Sequence, residues 1–360
     1  MNICLIGDGL TNLALAKCLT EKNINVSLYY SSTSRKISNN RTIGISKENF
    51  DFFQNNIIKI DKFSWPIKTI KIFSEKNNKL LSFGEKEKEM FFMVKNFELY
   101  KILEKKLLQK KNFKKIKIKN QSFYQKIIKK NKFDLVINSE KKNLINNKIF
   151  FKRILKDYKG EAATTFIDHQ KCKNNEAVQV FTNQGPLAFL PISKTKTSIV
   201  YSIHNYKNYT ENQIKNLVLK YNQSYKIKNF SKFEKFKLKL SINRNYFYKN
   251  ILCFGDNLHS IHPLAGQGFN MTIRDIKIFL KIIDHNINLG LPLDKSVLLE
   301  FELKTKHLNY IFSAGIDFIH EFFRIDIQKS YSKKILKTFD KNSLFKKYVT
   351  KFANSGFNIY

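Results

Sequence analysis

The sequence predicts an α/β fold in which a Rossmann-like nucleotide-binding domain is interrupted by a β-sheet domain and followed by a helical C-terminal region. Three observations support this prediction. An apolar run, a glycine turn, a helical pattern and a second apolar run follow one another over residues 2–30, as in a βαβ unit. Short strand patterns with polar turns dominate residues 65–94 and 177–248. Apolar residues recur at helical spacing over residues 301–360.

The individual elements follow from local patterns taken in chain order. Apolar runs predict strands at 2–6, 24–30, 70–72, 90–94, 133–138, 178–182, 198–203 and 251–254, with a further strand where Leu238, Leu240 and Ile242 alternate. Helices are expected after Gly9, over 97–109, after Thr210 as N-cap, from about Phe269, and over 301–360. The order therefore alternates between helix-rich and strand-rich parts.

Length and composition exclude several protein classes. The chain has 360 residues, of which 42% are hydrophobic and 14% aromatic, so it can form the cores of two domains. With 12 Gly and 5 Pro it is neither collagen-like nor a low-complexity disordered chain. Its four Cys, at positions 4, 18, 172 and 253, form no CxxC pair. They indicate buried or incidental thiols in a reducing compartment.

The net charge is strongly positive at +36, with 65 basic against 29 acidic residues. Such a balance is typical of proteins that bind nucleic acid or an anionic membrane surface. However, only six of the basic residues are Arg, whereas phosphate and base recognition favours the bidentate guanidinium. The lysines accompany abundant Asn, Ile and Phe, a composition typical of AT-rich genomes. We expect no nucleic-acid partner, and a basic nucleic-acid-binding protein is an alternative that charge alone leaves open.

The expected location is cytoplasmic. Residues 1–7 lead directly into a strand pattern and do not resemble a secretory signal. No stretch reaches the roughly 18 uncharged apolar residues that a spanning helix needs. Peripheral attachment to the inner face of the cytoplasmic membrane is compatible with both observations.

The first candidate motif is Gly7-x-Gly9-x-x-Asn12. A dinucleotide fingerprint needs a tight turn, a close approach for the pyrophosphate and a helix N-terminus that points at it. Gly7 and Gly9 fit the first two roles, but Asn12 replaces the third glycine and Tyr30 stands where a ribose-binding acid is expected. Alone, the motif is equally compatible with the strand–helix turn of any α/β protein.

The second motif is more specific. It reads Gly-Asp-Asn-Leu-His-Ser-Ile-His-Pro-Leu-Ala-Gly-Gln-Gly-Phe-Asn over residues 255–270 and continues to Arg274 and Asp275. It resembles the second flavin-binding stretch of the aromatic-ring flavoprotein monooxygenases of the p-hydroxybenzoate hydroxylase fold. Within these it is most similar to the ubiquinone-biosynthesis hydroxylases, whose pattern is Gly-Asp-Ala-Ala-His-x-x-His-Pro-Leu-Ala-Gly-Gln-Gly-x-Asn. Asn257 and Leu258 replace the two alanines.

The resemblance implies FAD as the cofactor. Asp256, at a strand end, would accept hydrogen bonds from ribityl hydroxyls. The glycines would let the backbone approach a flat ring, and the following helix N-terminus would stabilise negative charge on it. Pro263 would fix the loop. The cofactor-binding residues implied by this segment are Asp256, Pro263, Gly266, Gln267, Gly268, Phe269 and Asn270, added to Gly7, Gly9 and Asn12.

Three weaker similarities extend the resemblance along the chain. Residues 41–46 resemble a family segment whose arginine, here Arg41, lies near the ribose and pyrophosphate of FAD. Residues 93–96 resemble a segment that places Asn96 against the flavin. Residues 181–191 resemble a motif that precedes a strand over the active site. The substrate-side residues implied by the resemblance are Pro186, Leu190, Pro191 and His262.

Some positions depart from the family pattern. A family Ala-Asp-Gly element, associated with flavin and nicotinamide binding, reads Ser139-Glu140-Lys141 here, and residues 115–133 are shorter than the usual strand hairpin. NAD(P)H as a transient reductant is therefore left open. Asn12 adds bulk where helix and strand should approach closely, so we expect weak FAD retention, and Asn12→Gly is expected to tighten it.

His259 and His262 have the spacing of some metal ligands, but no third ligand follows at typical spacing. We expect loop-structural or flavin-proximal histidines and no metal. Asp275 and Asp284 are expected to have ordinary surroundings. The C-terminal helix predicts one apolar face, which is more typical of core packing than of lipid contact. That face carries Leu308, Ile311, Phe312, Ile316, Ile319 and Phe323 and continues through Ile335, Leu336 and Phe339. The lysines nearby are Lys333, Lys334, Lys337, Lys346 and Lys347.

The resemblance implies an FAD-dependent monooxygenase that hydroxylates the aromatic ring of a polyprenylated phenol or quinol in ubiquinone biosynthesis, with O2 and an external electron donor. The flavin carries the redox chemistry, so no catalytic side chain is predicted. Expected partners are the lipid substrate and an anionic membrane surface or a ubiquinone-biosynthesis complex. The alternative is a degenerate, non-catalytic family member that acts as a lipid-binding or complex subunit. The expected domains are an FAD-binding domain at 1–64, 96–150 and 248–300, a β-rich substrate domain at 65–95 and 151–247, and a helical region at 301–360.

Overall fold

The structure, a computed structural model, describes residues 1–31, 40–84, 88–130, 132–262 and 267–325, and within them eight α-helices and eighteen β-strands. The strands are β1 (Asn2–Ile6), β2 (Asn25–Ser31), β3 (Thr42–Ser46), β4 (Ser64–Ile67), β5 (Thr69–Ser74), β6 (Lys79–Phe83), β7 (Phe91–Lys95), β8 (Phe113–Ile118), β9 (Leu135–Asn138), β10 (Arg153–His169), β11 (Glu176–Thr182), β12 (Gly185–Pro191), β13 (Lys196–His204), β14 (Ile227–Phe230), β15 (Glu234–Asn243), β16 (Phe247–Tyr248), β17 (Ile251–Cys253) and β18 (His259–Ser260). The helices are α1 (Leu10–Glu21), α2 (Lys47–Asn56), α3 (Asn96–Leu108), α4 (Ser122–Lys129), α5 (Leu144–Lys148), α6 (Glu211–Tyr221), α7 (Gln267–Asn288) and α8 (Lys295–Ile325).

A six-stranded sheet carries the predicted βαβ unit, which is confirmed. Its order is β16-β17-β9-β1-β2-β8, and every pair except β16–β17 is parallel. The central strands β1 and β9 are almost entirely buried, which explains why they appear in the sequence as continuous apolar runs. Because parallel strands end at the same edge, the turns after β1, β9 and β17 meet there.

A nine-stranded sheet is built around β10. Its order is β18-β15-β10-β13-β12-β11-β5-β6, and β14 also pairs with β10. The 17-residue strand β10 was not recognised from the sequence. Its register against β15 shifts between Asp157 and Glu161, and Lys159 there has φ +51°, so the bulge interrupts the alternation that identifies a strand.

The two faces of this sheet have different coverings. On one face α6 packs with Ile214 and Val218. The predicted N-cap of α6 is confirmed, because Thr210 and Gln213 form a capping box. On the other face, Phe181 and Leu190 of the sheet pack with Met271 of α7. This second face therefore packs against α7 and α8.

A third, small sheet is antiparallel and has the strand order β3-β7-β4. Strands β4 and β7, which fall near the ends of the predicted substrate-domain segment 65–95, therefore pair with β3. Strands β5 and β6 join the nine-stranded sheet, as does β18. The domain boundaries themselves stay a prediction.

The motif at residues 181–191 includes the strand β12 and precedes the strand β13. Two other local predictions need correction. The segment 115–133, expected as a shortened hairpin, contains the end of β8 and the helix α4. On α8, Leu308, Phe312 and Ile316 are buried as predicted for core packing, but Ile311 is 45% exposed and does not share their face.

No helix within the described ranges is long and apolar enough to cross a membrane. The segment from 326 to 360, on which part of the lipid-contact interpretation depends, lies outside the described residues.

Candidate functional site

Three turns meet at the carboxyl edge of the six-stranded sheet. A Cβ on Gly7 would lie 3.0 Å from the Ser139 hydroxyl, so the turns after β1 and β9 are in close contact. A Cβ on Gly255 would lie 2.5 Å from the Thr11 methyl, so the turn after β17 packs against the first turn of α1. The two glycine motifs, more than 240 residues apart in the sequence, are thereby brought together.

The start of α1 fits a phosphate group. Gly7 has φ +102°, which requires glycine, and its turn directs the chain into the helix. Gly9 is the N-cap, and among the described residues no side chain caps the helix and none lies within 4 Å of the position that a Cβ would take. The amide groups of the first turn therefore face space into which a pyrophosphate could enter. On this observation, the residues present fit the predicted dinucleotide.

Asn12 has a different role from the one expected from its size. It is fully buried, and its side-chain amide donates to the carbonyl oxygens of Ile6, at 2.9 Å, and Gly7, at 2.7 Å. These bonds link the helix to the strand and turn that precede it. Asn12 therefore holds the glycine turn in place, and its bulk is accommodated.

Asp256 lies in the 3-10 turn that directly follows β17, at the strand end where it was predicted. Its side chain is 56% exposed, and its carboxylate lies 3.8 Å from the Lys141 amine. That amine also donates to the Ser260 hydroxyl at 3.0 Å. Lys141 belongs to the altered Ser139-Glu140-Lys141 element, which thus supplies a cation beside Asp256.

Asn257, which replaces a family alanine, lies at the centre of a buried network. Its amide donates to the carbonyl oxygen of Asn138, at 3.1 Å, and to the side-chain oxygen of Asn146, at 3.0 Å. Its own side-chain oxygen accepts from the guanidinium of Arg153 at 2.8 Å. Asp256 lies in the same turn as Asn257. The network therefore attaches this turn to β9, α5 and β10.

Asp275 corrects the expectation of ordinary surroundings. It is fully buried, and its carboxylate bonds to His259 at 2.7 Å and to Arg274 at 3.2 Å. Asn309 of α8 donates to the same carboxylate at 3.3 Å and to the Tyr246 hydroxyl at 3.1 Å. Burial alone would raise the pKa of Asp275, but the charges of His259 and Arg274 hold it below its ordinary value. His259 is thus loop-structural, as predicted.

The predicted residues at the start of α7 divide into two groups. The side chain of Asn270 is buried and engaged by protein partners: it accepts from the Ser46 amide at 2.9 Å and donates to the Gly44 carbonyl at 2.8 Å. It therefore ties α7 to β3. Gln267 is buried at the first position of α7, Gly268 follows it, and Phe269 is half-buried. Pro263 and Gly266 lie outside the described residues.

Arg41 and Asn96 are neighbours, as the resemblance implies. The Asn96 amide donates to the Arg41 carbonyl at 2.9 Å, where β3 pairs with β7. The Arg41 guanidinium lies 5.2 Å from the ring centroid of Phe236 in β15, a cation–π distance. The backbone of this pair lies at the start of α3, and the Arg41 side chain reaches the nine-stranded sheet.

The predicted substrate-side residues lie on two elements. Pro186 and Pro191 are buried in β12, and Leu190 packs in the apolar cluster between the nine-stranded sheet and helices α7 and α8. His262 is only 1% exposed, and neither ring nitrogen has a hydrogen-bond partner among the described residues.

Two rings that sequence reasoning missed surround His262. Tyr158 of β10 meets its ring edge to face with centroids 5.0 Å apart, and His320 of α8 lies 4.3 Å away. Burial, together with His320 and His204, lowers the pKa of His262 well below its ordinary value of 6.5. The imidazole is therefore uncharged at neutral pH. No local signal links these three residues, because they come from three distant segments.

A second group missed by the sequence analysis lies beside the first glycine turn. The Lys115 amine of β8 contacts the carboxylates of Glu104, at 2.5 Å, and Asp8, at 3.4 Å. It also donates to the Tyr100 hydroxyl at 3.0 Å and lies 4.7 Å from the ring centroid of Tyr30. The amine of Lys115 therefore lies beside Tyr30, the residue at the position where a ribose-binding acid was expected.

Comparison with solved structures identifies the architecture. The p-nitrophenol 4-monooxygenase PnpA of Pseudomonas putida superposes with a TM-score of 0.79 over 99% of this chain and 98% of its own, at 10% sequence identity. This chain has the flavoprotein monooxygenase fold. The family described as FAD binding domain matches residues 165–288 of this flavoprotein monooxygenase fold, and FAD as the predicted cofactor is confirmed by that match.

Curated relatives of this flavoprotein are similar over shorter stretches. The ubiquinone hydroxylase UbiL of Rhodospirillum rubrum is 23% identical over 184 residues, covering 47% of this chain and 42% of its own length. The mitochondrial ubiquinone biosynthesis monooxygenase COQ6 of Dictyostelium discoideum is 31% identical over 94 residues, covering 26% and 19%. The chain thus matches less than half the length of either relative. The predicted resemblance to ubiquinone-biosynthesis hydroxylases is confirmed.

Proposed function

We propose that this protein is an FAD-dependent monooxygenase that hydroxylates the aromatic ring of a polyprenylated phenol or quinol in ubiquinone biosynthesis. One observation carries the proposal: a chain with the flavoprotein monooxygenase fold matches ubiquinone-biosynthesis hydroxylases by sequence. Its two glycine turns meet at one sheet edge, beside a segment that leads to a buried, uncharged histidine.

Cofactor binding would use groups at the sheet edge. The first-turn amides of α1 would bind the pyrophosphate, which would enter the space beside Gly9. Asp256 would accept hydrogen bonds from ribityl hydroxyls, and the Lys141 amine lies 3.8 Å from its carboxylate. Bound FAD would supply the redox chemistry that activates O2, with an external reductant, for which NAD(P)H is one candidate.

Substrate binding would use the second face of the nine-stranded sheet. Leu190, Phe181 and Phe312 belong to an apolar cluster there, which suits a ring with a polyprenyl tail. His262 adjoins this cluster through its neighbour Ile261. An uncharged imidazole can accept a hydrogen bond from a ring hydroxyl, and no protein group competes for the nitrogens of His262 within the described residues. We assign to His262 the role of orienting the phenol ring through this hydrogen bond.

The test is a spectrum followed by an assay. Purified protein should be yellow, with flavin absorption near one equivalent, and should add one oxygen atom to a short-chain polyprenyl phenol when given reductant and O2. His262→Gln should keep the spectrum and lose turnover. A colourless protein that cannot be loaded with FAD contradicts the proposal. Full flavin occupancy without turnover on any such phenol supports the non-catalytic alternative.

We propose further that the lipid substrate is met at an anionic membrane surface. A polyprenylated phenol is insoluble in water, and the net charge of +36 supplies about 1 kcal/mol of attraction per lysine near such a surface. Phe318 of α8 is 68% exposed, and Ile311 is 45% exposed, which adds an apolar component.

Co-sedimentation with anionic liposomes across a salt series tests the membrane proposal. Binding should be strong at low salt and weaker, but not lost, at high salt, because screening removes only the electrostatic part. Phe318→Ser, or removal of residues from Tyr331 onward, should reduce the salt-resistant part. The control Leu219→Ser alters an apolar residue on α6 that is 47% exposed. Complete loss of wild-type binding at moderate salt would contradict the proposal and favour a partner protein.

A further inference from the structure

We propose that Glu104, held by Lys115 and Tyr100, replaces the missing strand-end acid as the acceptor for the adenosine ribose, and that it makes the site selective for a dinucleotide over a mononucleotide. The inference rests on FAD being the cofactor. It assigns a specificity-determining role to residues of α3 and β8 that no motif of the sequence includes.

The starting observation is a gap in the expected ribose site. In dinucleotide-binding folds a carboxylate at the end of the second strand hydrogen-bonds the ribose hydroxyls. Here that position, next to the last residue of β2, is Tyr30, whose phenol cannot provide the paired oxygens of a carboxylate. A dinucleotide bound at the glycine turn would leave its ribose hydroxyls without that partner.

Lys115 brings carboxylates to the same place from other elements. It pairs with Leu28 in the β2–β8 register, so its side chain emerges on the same face as Tyr30. Its amine lies over the Tyr30 ring, at 4.7 Å, and contacts Glu104, at 2.5 Å. It also lies 3.4 Å from the carboxylate of Asp8, which stands between the two glycines of the turn.

Tyr100 completes the arrangement. It is one turn before Glu104 on α3, and its hydroxyl lies 3.2 Å from the Glu104 carboxylate and 3.4 Å from that of Asp8. Burial raises the pKa of Tyr100 to about 12, so the phenol keeps its proton. Burial alone would lower the pKa of Lys115, but its bonds to Glu104 and Tyr100 raise it above its ordinary value. Both groups therefore remain donors.

The consequence concerns the two oxygens of Glu104. Lys115 and Tyr100 both contact Oε1, and Oε2 makes no hydrogen bond to any residue in the described part of the chain. The side chain is partly exposed beside the glycine turn. A partly exposed carboxylate with one oxygen held by the protein and the other without a partner among the described residues is pre-organised to accept from a ribose hydroxyl. Asp8 keeps Lys115 in position.

Flavin titration of the apoprotein tests this role without an activity assay. FAD carries the adenosine ribose, whereas FMN does not. Wild-type protein should bind FAD more tightly than FMN. Glu104→Gln and Lys115→Met should weaken FAD binding by roughly tenfold, as expected for loss of a charged hydrogen bond, and leave FMN binding within about twofold.

Two control variants match the charge changes. Glu98→Gln removes a carboxylate from the same helix. Glu98 forms an ion pair with Lys95, three residues earlier. Lys117→Met removes an exposed amine from the same face of β8, opposite Tyr30. Both should bind FAD and FMN as the wild type does. Circular dichroism and thermal unfolding show whether each variant folds, and Glu104→Gln decides the question if Lys115→Met does not.

FAD that lacks the adenosine 2′-hydroxyl sharpens the test. Wild-type protein should bind it about as weakly as Glu104→Gln binds FAD, and Glu104→Gln should no longer distinguish the two. Equal weakening of FAD and FMN in Glu104→Gln would show a merely structural role and overturn the proposal, as would unchanged FAD affinity. Wild-type protein that binds neither flavin would instead overturn the proposed function.

Discussion

Two asparagines stand where the family pattern has small residues, and they are accommodated in different ways. Asn12, at the third glycine position, donates to carbonyl oxygens of Ile6 and Gly7, which lie six and five residues earlier. Asn257, at an alanine position, bonds to Asn138 and Asn146, which lie 119 and 111 residues earlier, and to Arg153. One replacement is accommodated locally, and the other depends on three separate segments.

The difference shows that a departure from a motif does not by itself indicate loss of the site. Both side chains are fully buried, and in both the side-chain amide donates two hydrogen bonds to neighbouring oxygens. An unpaired buried polar group costs roughly 1–3 kcal/mol, and the side-chain nitrogens of both residues are paired. The side-chain oxygen of Asn257 accepts from Arg153, whereas that of Asn12 has no partner among the described residues. We therefore expect that restoring the family residue at either position will harm the protein.

The largest effect is expected for Asn257→Ala. It restores a family residue but removes three hydrogen bonds of a buried side chain, to Asn138, Asn146 and Arg153, so the free energy of unfolding should fall by about 2–4 kcal/mol. Thermal unfolding measures the change. Asn245→Ala, at an exposed position in the preceding connection, is the control. A variant as stable as the wild type would mean that the network contributes little.

A smaller effect is expected for Asn12→Gly. The sequence alone predicts tighter FAD binding, but the two hydrogen bonds of the Asn12 amide reverse that expectation. The variant should lose about 1–2 kcal/mol of stability and bind FAD no better, since the glycine turn loses its link to α1. Asn216→Gly on the exposed face of α6 reports the helix-propensity contribution separately. Tighter FAD binding in Asn12→Gly would support the original prediction.

Asp256 is next to Asn257 in the sequence, and Asp256→Ala is expected to change FAD affinity without changing stability. The side chain is more than half exposed, so its removal should leave thermal stability nearly unchanged. FAD affinity should fall by about 1–2 kcal/mol because ribityl hydroxyls lose their acceptor. Asp168→Ala, which removes another carboxylate paired with a lysine, should not alter affinity. Wild-type affinity in Asp256→Ala would remove Asp256 from the site.

The smallest effect concerns the pH dependence of the contact between the second motif and α8. Burial lowers the pKa of both His262 and His320 below the ordinary 6.5, so the unfolded chain binds more protons than the folded one in acid. Stability should therefore fall as the pH decreases below 6.5, by about 1 kcal/mol per histidine near pH 5.5. Denaturant unfolding at both pH values measures this.

The double variant His262→Gln, His320→Gln should show a flatter acid limb in the same measurement, whereas His285→Gln, at an exposed position of α7, should not. Identical pH dependence in the wild type and the double variant would place the acid sensitivity in other groups.

Parts of the site could be recognised from sequence because their chemistry is contiguous. Gly7 and Gly9 open a helix directly, and the segment from Gly255 to Asn270 carries strand end, loop and helix start within sixteen residues. Arg41 and Asn96 were placed by resemblance, and their pairing between β3 and β7 brings them together. By contrast, Tyr158 and His320 belong to β10 and α8, where nothing local links them to His262.

The sequence by itself determined the fold class, since alternating apolar patterns and glycine turns act over a few residues. The cofactor was implied by the resemblance of residues 255–270 to a flavin-binding stretch. Only the tertiary structure decided which polar groups meet. It pairs His259 with Asp275, seats Asn257 among distant partners, and gathers Glu104 and Lys115 beside Tyr30. The physical reason is that a buried polar side chain must find its partners in space, and those partners come from whichever segments the packed strands and helices bring within hydrogen-bonding distance.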